Sequence, residues 1–355
     1  MRVAIEAAPL SLSSGGLRRY AAEISLALAR CYPEDEFVLL SDQPFRLPDG
    51  APANLKRGAG PGNAVERRWW LWGLSCQLGR LGADVVHGPD FSVPYLPRHP
   101  SVLTLHDLSP WLDGSWHSAA GRVRSRTPVL LRLGVATMVL TVSETVRRQA
   151  IERFRLRPER VVAVPLAASP HFRPVPSAPR THRSGRPYFL HVGTLEPRKN
   201  LPALVEAWRE VRRWHAVDLV IAGRPRADAP AIAPEPGLHL AGEVPENDLP
   251  ALYSGAAALV CPSHYEGFGL PVLEAMQCGT CVIASSALRE AAGDAALRAD
   301  GTVEMVREMN RILEAPELLE SRRERSLERA RQFSWERAAR ATYEVYGEAR
   351  RRFDG

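Results

Sequence analysis

Lysine is nearly absent from this sequence of 355 residues. Arginine and lysine together number 46, yet Lys56 and Lys199 are the only lysines. We attribute the arginine bias first to genome composition, but it makes each remaining lysine slightly more informative. Lys199 directly follows Arg198, in a loop between a strand-like and a helix-like segment. That position raises the question of what the pair binds.

Long apolar runs are also absent, and cysteine is scarce. No run approaches the roughly 20 apolar residues that a membrane span needs. The first residues, MRVAIEAAPL, predict a strand and lack the apolar stretch of a signal peptide. Five cysteines, an odd number, fit a reducing compartment. We therefore expect a cytoplasmic protein.

Three cysteines and one histidine have spacings that could bind zinc: Cys261, His264, Cys278 and Cys281. Cys261 ends an apolar strand, and the other two cysteines flank a helix-to-strand turn. Those positions favour structural thiols. Another motif is missing: the segment SSGGLRRY after the first strand does not match the Gly-x-Gly-x-x-Gly pattern, which argues against an NAD-dependent dehydrogenase.

Strand-like and helix-like segments alternate along the chain, which predicts parallel sheets. The strands are apolar throughout, as expected when both faces of a sheet are covered. A Pro-, Arg- and Ser-rich stretch at 172–187 is the best linker candidate. We predict two doubly wound α/β domains, 1–180 and 181–333, and a terminal helix at 334–355. Two such domains facing each other would form a cleft, with ligands at the carboxyl ends of the strands.

Charge is unevenly distributed between the halves. Residues 1–180 carry a net charge of +8 and residues 181–355 carry −2. A basic half could meet nucleic acid, an anionic membrane or a phosphorylated ligand, or it could be a solvated arginine-rich surface. A nucleic-acid-binding protein is disfavoured, because no named motif or aromatic stacking pattern accompanies the charge.

The loop 193–200 predicts an anion site. Gly193 and Thr194 follow a strand, and Arg198 and Lys199 precede a helix. A planar guanidinium beside a compact ammonium suits a diphosphate. Cations near a helix start oppose the helix dipole, so this locally unfavourable choice favours a functional role.

A second constellation lies in HYEGFGLPVLEAMQCG. Glu266 and Glu274 are eight residues apart, and Gly267 and Gly269 lie between them. A glycine-rich turn at a helix start exposes backbone N–H groups to an anion. If the whole segment were helical, the two carboxylates would be about 12 Å apart, which is the scale of a nucleotide sugar. The alternative, that Glu274 is an ordinary surface residue, is less consistent with the full set.

These segments resemble a known enzyme family. EGFGLPVLEAM is similar to the Glu-x7-Glu motif of retaining glycosyltransferases of family 4, and GTLEPRKNL resembles the donor-phosphate loop of that family. SSGGLRRY, TLHDLSPW and FSWERAARATYEVY also fit, so the resemblance covers nearly the whole chain. It implies the GT-B fold, in which two Rossmann-like domains face each other across a cleft and the last helix returns to the N-terminal domain. One departure is Cys281, where the family commonly has proline.

The resemblance also implies roles for individual residues. Arg198 and Lys199 would hold the donor diphosphate, Glu274 would bind the ribose hydroxyls, and Glu266 would contact the transferred sugar. His106, at the end of the strand SVLTLH, matches a cleft histidine that faces the donor sugar. The implied catalytic set is His106, Glu266, Arg198 and Lys199. The implied donor-binding set is Gly15, Gly16, Gly193, Thr194, Arg198, Lys199, Glu266, Gly267, Phe268, Gly269, Leu270 and Glu274.

The expected activity is metal-independent transfer of a hexose to a hydroxyl of a glycan or lipid-linked acceptor, without a cofactor. No Asp-x-Asp metal signature occurs in the sequence. GDP-mannose is the first expectation for the donor, and UDP-glucose and a sugar-nucleotide epimerase of the same fold are the alternatives. The segment 66–81, with Arg67, Arg68, Trp69, Trp70 and Trp72, predicts either a helix with buried tryptophans or a peripheral contact with an anionic membrane at its inner face.

Overall fold

The structure is a computed structural model that describes residues 1–113, 116, 121–182 and 184–354. The chain divides into two compact units. Unit 1 comprises Met1–Leu112, Ala119–Leu166 and Ser334–Gly355, and unit 2 comprises Asp113–Ser118 and Ala167–Phe333. Each unit is built around a parallel sheet with helices, which confirms the predicted α/β class.

The sheet of unit 1 has, among the described residues, seven parallel strands in the order β3-β2-β1-β4-β5-β6-β7. The strands are β1 Arg2–Glu6, β2 Glu36–Leu40, β3 Leu55–Arg57, β4 Val85–Gly88, β5 Ser101–Leu105, β6 Met138–Thr141 and β7 Val161–Ala163. The helices are α1 Gly16–Cys31, α2 Leu74–Leu81, α3 Ser109–Leu112, α4 Gly121–Arg132, α5 Glu144–Phe154 and, from the end of the chain, α12 Trp335–Asp354.

The central strands of unit 1 are apolar and almost fully buried, as is typical of a parallel sheet with both faces covered. Helix α12 packs on α1, β4, β5 and β6. A buried chain of hydrogen bonds fixes it there. His87 on β4 shares hydrogen bonds with the hydroxyl of Tyr346 on α12 (2.7 Å) and with that of Thr104 on β5 (2.8 Å), and Thr104 also contacts the hydroxyl of Tyr20 on α1 (3.1 Å). The terminal helix is therefore part of unit 1.

The sheet of unit 2, within the same described ranges, has six parallel strands in the order β10-β9-β8-β11-β12-β13. The strands are β8 Tyr188–Val192, β9 Asp218–Ala222, β10 Leu238–Gly242, β11 Ala258–Cys261, β12 Val282–Ala284 and β13 Leu297–Arg298. The helices are α6 Leu201–Val211, α7 Leu249–Gly255, α8 Leu270–Gln277, α9 Arg289–Ala292, α10 Thr302–Glu314 and α11 Pro316–Ala330. The strand order reverses between β8 and β11, which is the topological switch point of a Rossmann-like sheet.

The division between the units differs from the predicted boundary at residue 180. Residues 167–180 belong to unit 2, because Phe172 is fully buried there beside Tyr253, with ring centroids 5.9 Å apart. The side-chain amide of Gln277 donates to the carbonyls of Ser169 (2.9 Å) and Phe172 (2.7 Å). The start of the proline-rich stretch is thus held by helices α7 and α8 of unit 2.

The tryptophan-rich segment forms a π-helical turn, Trp69–Gly73, followed by α2. Trp69 is buried against Leu74 and Leu78, whereas Trp72 is 37% exposed, so the burial expectation is met only in part. None of the helices in the described part of the chain is long and apolar enough to cross a membrane.

The three cysteines considered for zinc are free, buried thiols: Cys261, Cys278 and Cys281. Burial raises the pKa of each thiol to about 12, so the thiolate form that binds zinc is disfavoured. The expectation of structural thiols is consistent with this environment.

Candidate functional site

Two loops of unit 2 meet at the switch point of its sheet. The first, 193–200, follows β8, and the second, 262–269, follows β11, the adjacent parallel strand. The backbone N–H of His264 donates to the carbonyl of Arg198 at 2.8 Å, which joins the loops directly. Both loops contain residues that the sequence motifs mark as functional, and the strand order brings them together.

Glu266 is the centre of the contacts between these loops. Its Oε1 accepts from Lys199 Nζ at 2.5 Å and from Ser263 Oγ at 2.8 Å, and its Oε2 accepts from Arg198 Nη1 at 2.8 Å. Arg198 Nη1 also donates to the carbonyl of Tyr265 at 2.9 Å. Lys199 is 7% exposed and Glu266 is 9% exposed. The predicted phosphate-binding cations and the first acid of the motif therefore form one buried cluster.

The charges in this cluster determine the ionisation of Glu266. Burial alone would raise the pKa of the carboxyl, but the cations of Lys199 and Arg198 outweigh it and lower the pKa to about 2. Hydrogen bonds from Lys199 and Ser263 act in the same direction. Glu266 is consequently a carboxylate at neutral pH.

A second carboxylate extends the cluster. Glu196 accepts from Arg198 Nη2 at 2.7 Å and from Arg226 Nη1 at 2.5 Å. Arg226 follows β9, and its Nε donates to Asp228 Oδ1 at 2.5 Å. Three cations thus alternate with three acids.

Gly193 and His191 lie beside Lys199. The backbone of Gly193 has φ +154°, and a Cβ placed there would lie 3.7 Å from Lys199 Nζ. His191 Nδ1 donates to the carbonyl of Val260 at 2.9 Å, and Nε2 has no hydrogen-bond partner among the residues that the structure describes. Burial lowers the pKa of His191 to about 4, so the neutral ring presents an acceptor lone pair.

The glycine-rich segment is not one continuous helix. Helix α8 begins at Leu270, and Gly269 at its N-cap has φ +103°. A Cβ on Gly269 would lie 2.2 Å from Leu288 Cδ2. Glu266 therefore precedes the helix, and the separation of about 12 Å worked out for a fully helical segment does not apply. Gly267 and Phe268 are buried between the two.

Glu274 lies on the buried face of α8 and is 1% exposed. Its Oε2 accepts from the hydroxyl of Tyr253 on α7 at 2.9 Å. Within the part of the chain that the structure describes, Glu266 binds the cations of Lys199 and Arg198, whereas Glu274 accepts a hydrogen bond from Tyr253. The structure thus brings Arg198, Lys199 and Glu266 into one group.

The remaining predicted residues belong to unit 1. Gly15 is the N-cap of α1 with φ +107°, and a Cβ there would meet no described atom within 4 Å. His106 follows β5, and its Nε2 donates to the carbonyl of Pro89 at 2.6 Å. The ring of Tyr20 lies edge-on to His106, with centroids 4.7 Å apart. Burial lowers the pKa of His106 even though the nearby Asp90 acts to raise it.

Several members of the cluster lie outside the residues predicted from the sequence. Ser263 and Arg226 both follow strands of the sheet, so a search of every strand end for polar side chains would have found them. Glu196 lies within the loop 193–200, and its ion pairs with Arg198 and Arg226 have no local signature in the sequence. Tyr253 lies on a different helix and gave no local signal.

Comparisons with known proteins agree with this architecture. A family model described as Glycosyltransferase Family 4 matches residues 14–172, and one described as glycosyl transferases group 1 matches residues 176–332. O-antigen chain mannosyltransferase B of Escherichia coli is 34% identical over an alignment of 284 residues, and the match covers 74% of this chain and 74% of that protein. The chain belongs to glycosyltransferase family 4. The resemblance inferred from its motifs is therefore confirmed.

Solved structures show the fold of this family 4 member. Sucrose-phosphate synthase from Thermosynechococcus elongatus matches with a TM-score of 0.74 at 18% identity and covers 98% of each chain. The HepE protein of Anabaena, in complex with UDP-glucose, matches with a TM-score of 0.72 at 17% identity and covers 98% of this chain and all of its own. The predicted GT-B class is confirmed by such neighbours.

Proposed function

We propose that this glycosyltransferase moves a hexose from a nucleoside-diphosphate sugar to a hydroxyl of a glycan or lipid-linked acceptor, with retention of anomeric configuration. The observation that carries the proposal is the buried cluster of Arg198, Lys199 and Glu266, formed by two loops at the switch point of unit 2. Mannose from GDP-mannose is the first choice, because a relative at 34% identity is named a mannosyltransferase.

The cations of the cluster can bind a diphosphate while they keep their hydrogen bonds to Glu266. Lys199 Nζ donates one hydrogen bond within the described residues, to Glu266, which leaves two N–H groups for phosphate oxygens. As the bond to the sugar breaks, negative charge develops on the departing nucleoside diphosphate. A fixed Arg-Lys pair stabilises that charge because it needs little reorganisation at the moment of reaction. This reaction requires no metal, so we expect turnover to survive EDTA.

The carboxylate of Glu266 keeps Lys199 and Arg198 in place before the donor arrives. Glu266 then contacts the transferred sugar, with backbone amides at Phe268, Gly269 and Leu270 beside it, as the family implies. Gly193 and Thr194 line the approach to the phosphates. In this proposal Glu274 binds the ribose hydroxyls, and the hydrogen bond from Tyr253 orients its carboxylate.

Unit 1 contributes to the proposed reaction through His106 and the amides of Gly15 and Gly16. The Nε2–H group of His106 donates a hydrogen bond to the carbonyl of Pro89, so Nδ1 of the neutral ring is an acceptor. That atom positions a sugar hydroxyl, while the departing phosphate removes the proton of the acceptor hydroxyl on the same face. We expect His106→Ala to reduce kcat, and unchanged turnover would remove His106 from the site.

The donor is tested by calorimetric binding of GDP-mannose, UDP-glucose and ADP-glucose to the purified chain. We expect the tightest binding for GDP-mannose and at least a tenfold loss of affinity in Lys199→Met. Lys56→Met, which changes the other lysine of the chain, is the matched control and should bind normally. Preference for UDP-glucose, the ligand of the HepE neighbour, would change the donor but keep the reaction class.

Product analysis tests the reaction class itself. Incubation with the preferred donor and an oligosaccharide acceptor should yield a new glycosidic bond and free nucleoside diphosphate. Formation of an epimerised sugar without a new glycosidic bond would replace the transferase proposal with an epimerase. Failure of all three donors to bind the wild-type chain would overturn the proposed site.

A further inference from the structure

A cluster of two histidines and one aspartate lies at the other end of the sheet of unit 2. We name His182, Asp218 and His239 the His-Asp cluster. Asp218 is the first residue of β9, and His239 is the second residue of β10. His182 lies in the turn that precedes β8. A strand of five residues spans about 16 Å, so this cluster is well separated from the loops that follow β8 and β11.

The three side chains converge on one point. His239 Nε2 lies 3.0 Å from Asp218 Oδ2, and His182 Nδ1 lies 3.8 Å from the same oxygen. One ligand atom from each residue lies within 4.8 Å of the other two. A tetrahedral zinc ion with bonds of 2.0–2.1 Å places its ligands about 3.3 Å apart. Small rotamer shifts of the two imidazoles would therefore suffice to bind such an ion.

The backbone holds two of the ligands firmly. Neighbouring parallel strands fix Asp218 and His239, with Leu219 paired to Leu238 in the register. The turn that carries His182 is closed by hydrogen bonds of 2.8 Å from Gly185 N–H to the carbonyl of His182 and from His182 N–H to the carbonyl of Arg186. The site is thus formed by three separate segments.

The charge of the cluster favours a cation. Asp218 is fully buried, and its Oδ1 has no hydrogen-bond partner in the ranges that the structure describes. Its Oδ2 accepts from Ser184 Oγ at 2.5 Å, which orients the carboxylate toward the histidines. A fully buried carboxylate is costly unless it is paired or coordinates a cation, and the unpartnered oxygen of Asp218 leaves room for such a ligand bond.

The accessibility of the cluster suits an exchangeable ion. The side chains of His182 and His239 are 16% and 34% exposed, whereas the side chain of Asp218 is fully buried. Solvent can therefore supply the ion and a fourth ligand. Two imidazole nitrogens and one carboxylate oxygen are a donor set typical of zinc and neighbouring divalent transition metals.

We propose that His182, Asp218 and His239 bind a divalent transition-metal ion, with zinc as the best match, that ties His182 to β9 and β10. This site goes beyond the proposed transferase reaction, because it lies away from the donor loops and supplies no group to them. Its effect is on stability: an ion that binds the folded chain and not the unfolded one stabilises the fold by mass action.

The test is calorimetric titration of ZnCl2 into tag-free, chelator-treated protein, together with thermal unfolding with and without Zn2+. We expect one ion per chain and a higher unfolding midpoint when the ion is bound. His239→Ala and His239→Gln should each weaken binding at least tenfold and abolish the shift of the midpoint. His215→Ala is the matched control, since His215 faces Glu314 at 3.3 Å outside the cluster, and it should bind zinc like the wild type.

Two outcomes overturn the inference. One is the absence of stoichiometric zinc binding to the wild-type chain, and the other is unchanged zinc affinity in a folded His239 variant, with circular dichroism establishing the fold. Nucleotide-sugar binding is measured on the same samples. Because the site is separate from the donor loops, we expect His239→Gln to keep normal donor affinity, so that failure of one proposal is distinguishable from failure of the other.

Discussion

Replacing Lys199 with methionine removes one cation from a buried ion-pair cluster and keeps a side chain of similar size. Glu266 would then face Arg198 alone. Lowering the pKa of a carboxyl from its ordinary 4.5 to about 2 corresponds to about 3 kcal/mol of interaction in the folded state. Removing one partner from a buried pair costs about 3–5 kcal/mol. We therefore expect Lys199→Met to lower the free energy of unfolding by about 3 kcal/mol.

The assay is urea unfolding, monitored by tryptophan fluorescence, of the wild type, Lys199→Met, Glu266→Gln and the double variant. Because Lys199→Met leaves the buried charge of Glu266 with one cation instead of two, the double variant should be more stable than Lys199→Met, with a coupling free energy of at least 1 kcal/mol. Lys56→Met is the control. Lys56 pairs with Glu36 at 2.7 Å on the surface, so its loss should cost less than about 1 kcal/mol.

The same pair predicts a dependence on pH. The pKa of Glu266 is lower in the folded chain than in the unfolded one, so its stabilising contribution is complete above pH 4.5 and is lost as the pH falls toward 2. The stability difference between the wild type and Glu266→Gln should narrow over that range. A loss below 1 kcal/mol in Lys199→Met, or a double variant no more stable than Lys199→Met, would refute the assignment of a buried, coupled pair.

Three further substitutions test the backbone and the buried network. Gly15→Ala should cost about 1–2 kcal/mol in urea unfolding, because φ +107° strains any side chain although space is free. Gly269→Ala also places a side chain at positive φ, and its Cβ clashes with Leu288. It should lower the free energy of unfolding by at least 1 kcal/mol more than Gly15→Ala does and weaken donor binding in calorimetry. Equal losses of unfolding free energy in the two variants would contradict this prediction. Tyr346→Phe removes the hydroxyl that bonds His87 and should lower the unfolding free energy by about 1–2 kcal/mol, whereas an unchanged midpoint would show that the bond is weak.

Much of the fold and part of the site could be predicted from the sequence. Apolar strands alternating with helices predicted two parallel sheets, and the strand-end rule selected the loops that hold Arg198 and Glu266. The ion pair between Lys199 and Glu266 could not be predicted, because 67 residues separate the two and only the adjacency of β8 and β11 joins them. The burial of Glu274 depends on Tyr253 from a different helix, a tertiary contact with no local signature.

The boundary between the units was less predictable for a similar reason. Proline and arginine in 172–187 indicate irregular backbone, which is correct for much of this stretch, but irregular backbone can still pack. Phe172 is buried in unit 2, and that burial depends on the position of α7. The amino-acid composition of a segment indicates whether its backbone is regular, but it does not indicate the unit against which the segment packs.

Helix α12 has a consequence for biosynthesis. Unit 1 needs Tyr346 beside His87, and so it combines segments from both ends of the chain, whereas unit 2 is almost entirely one continuous stretch. A ribosome releases residues in order, and domains generally fold as units during synthesis. Unit 2 can therefore reach its native state first. The sheet of unit 1 is synthesised earlier, but part of its apolar surface stays uncovered until α12 has been made. We therefore expect nascent unit 1 to expose apolar surface longer during synthesis than unit 2.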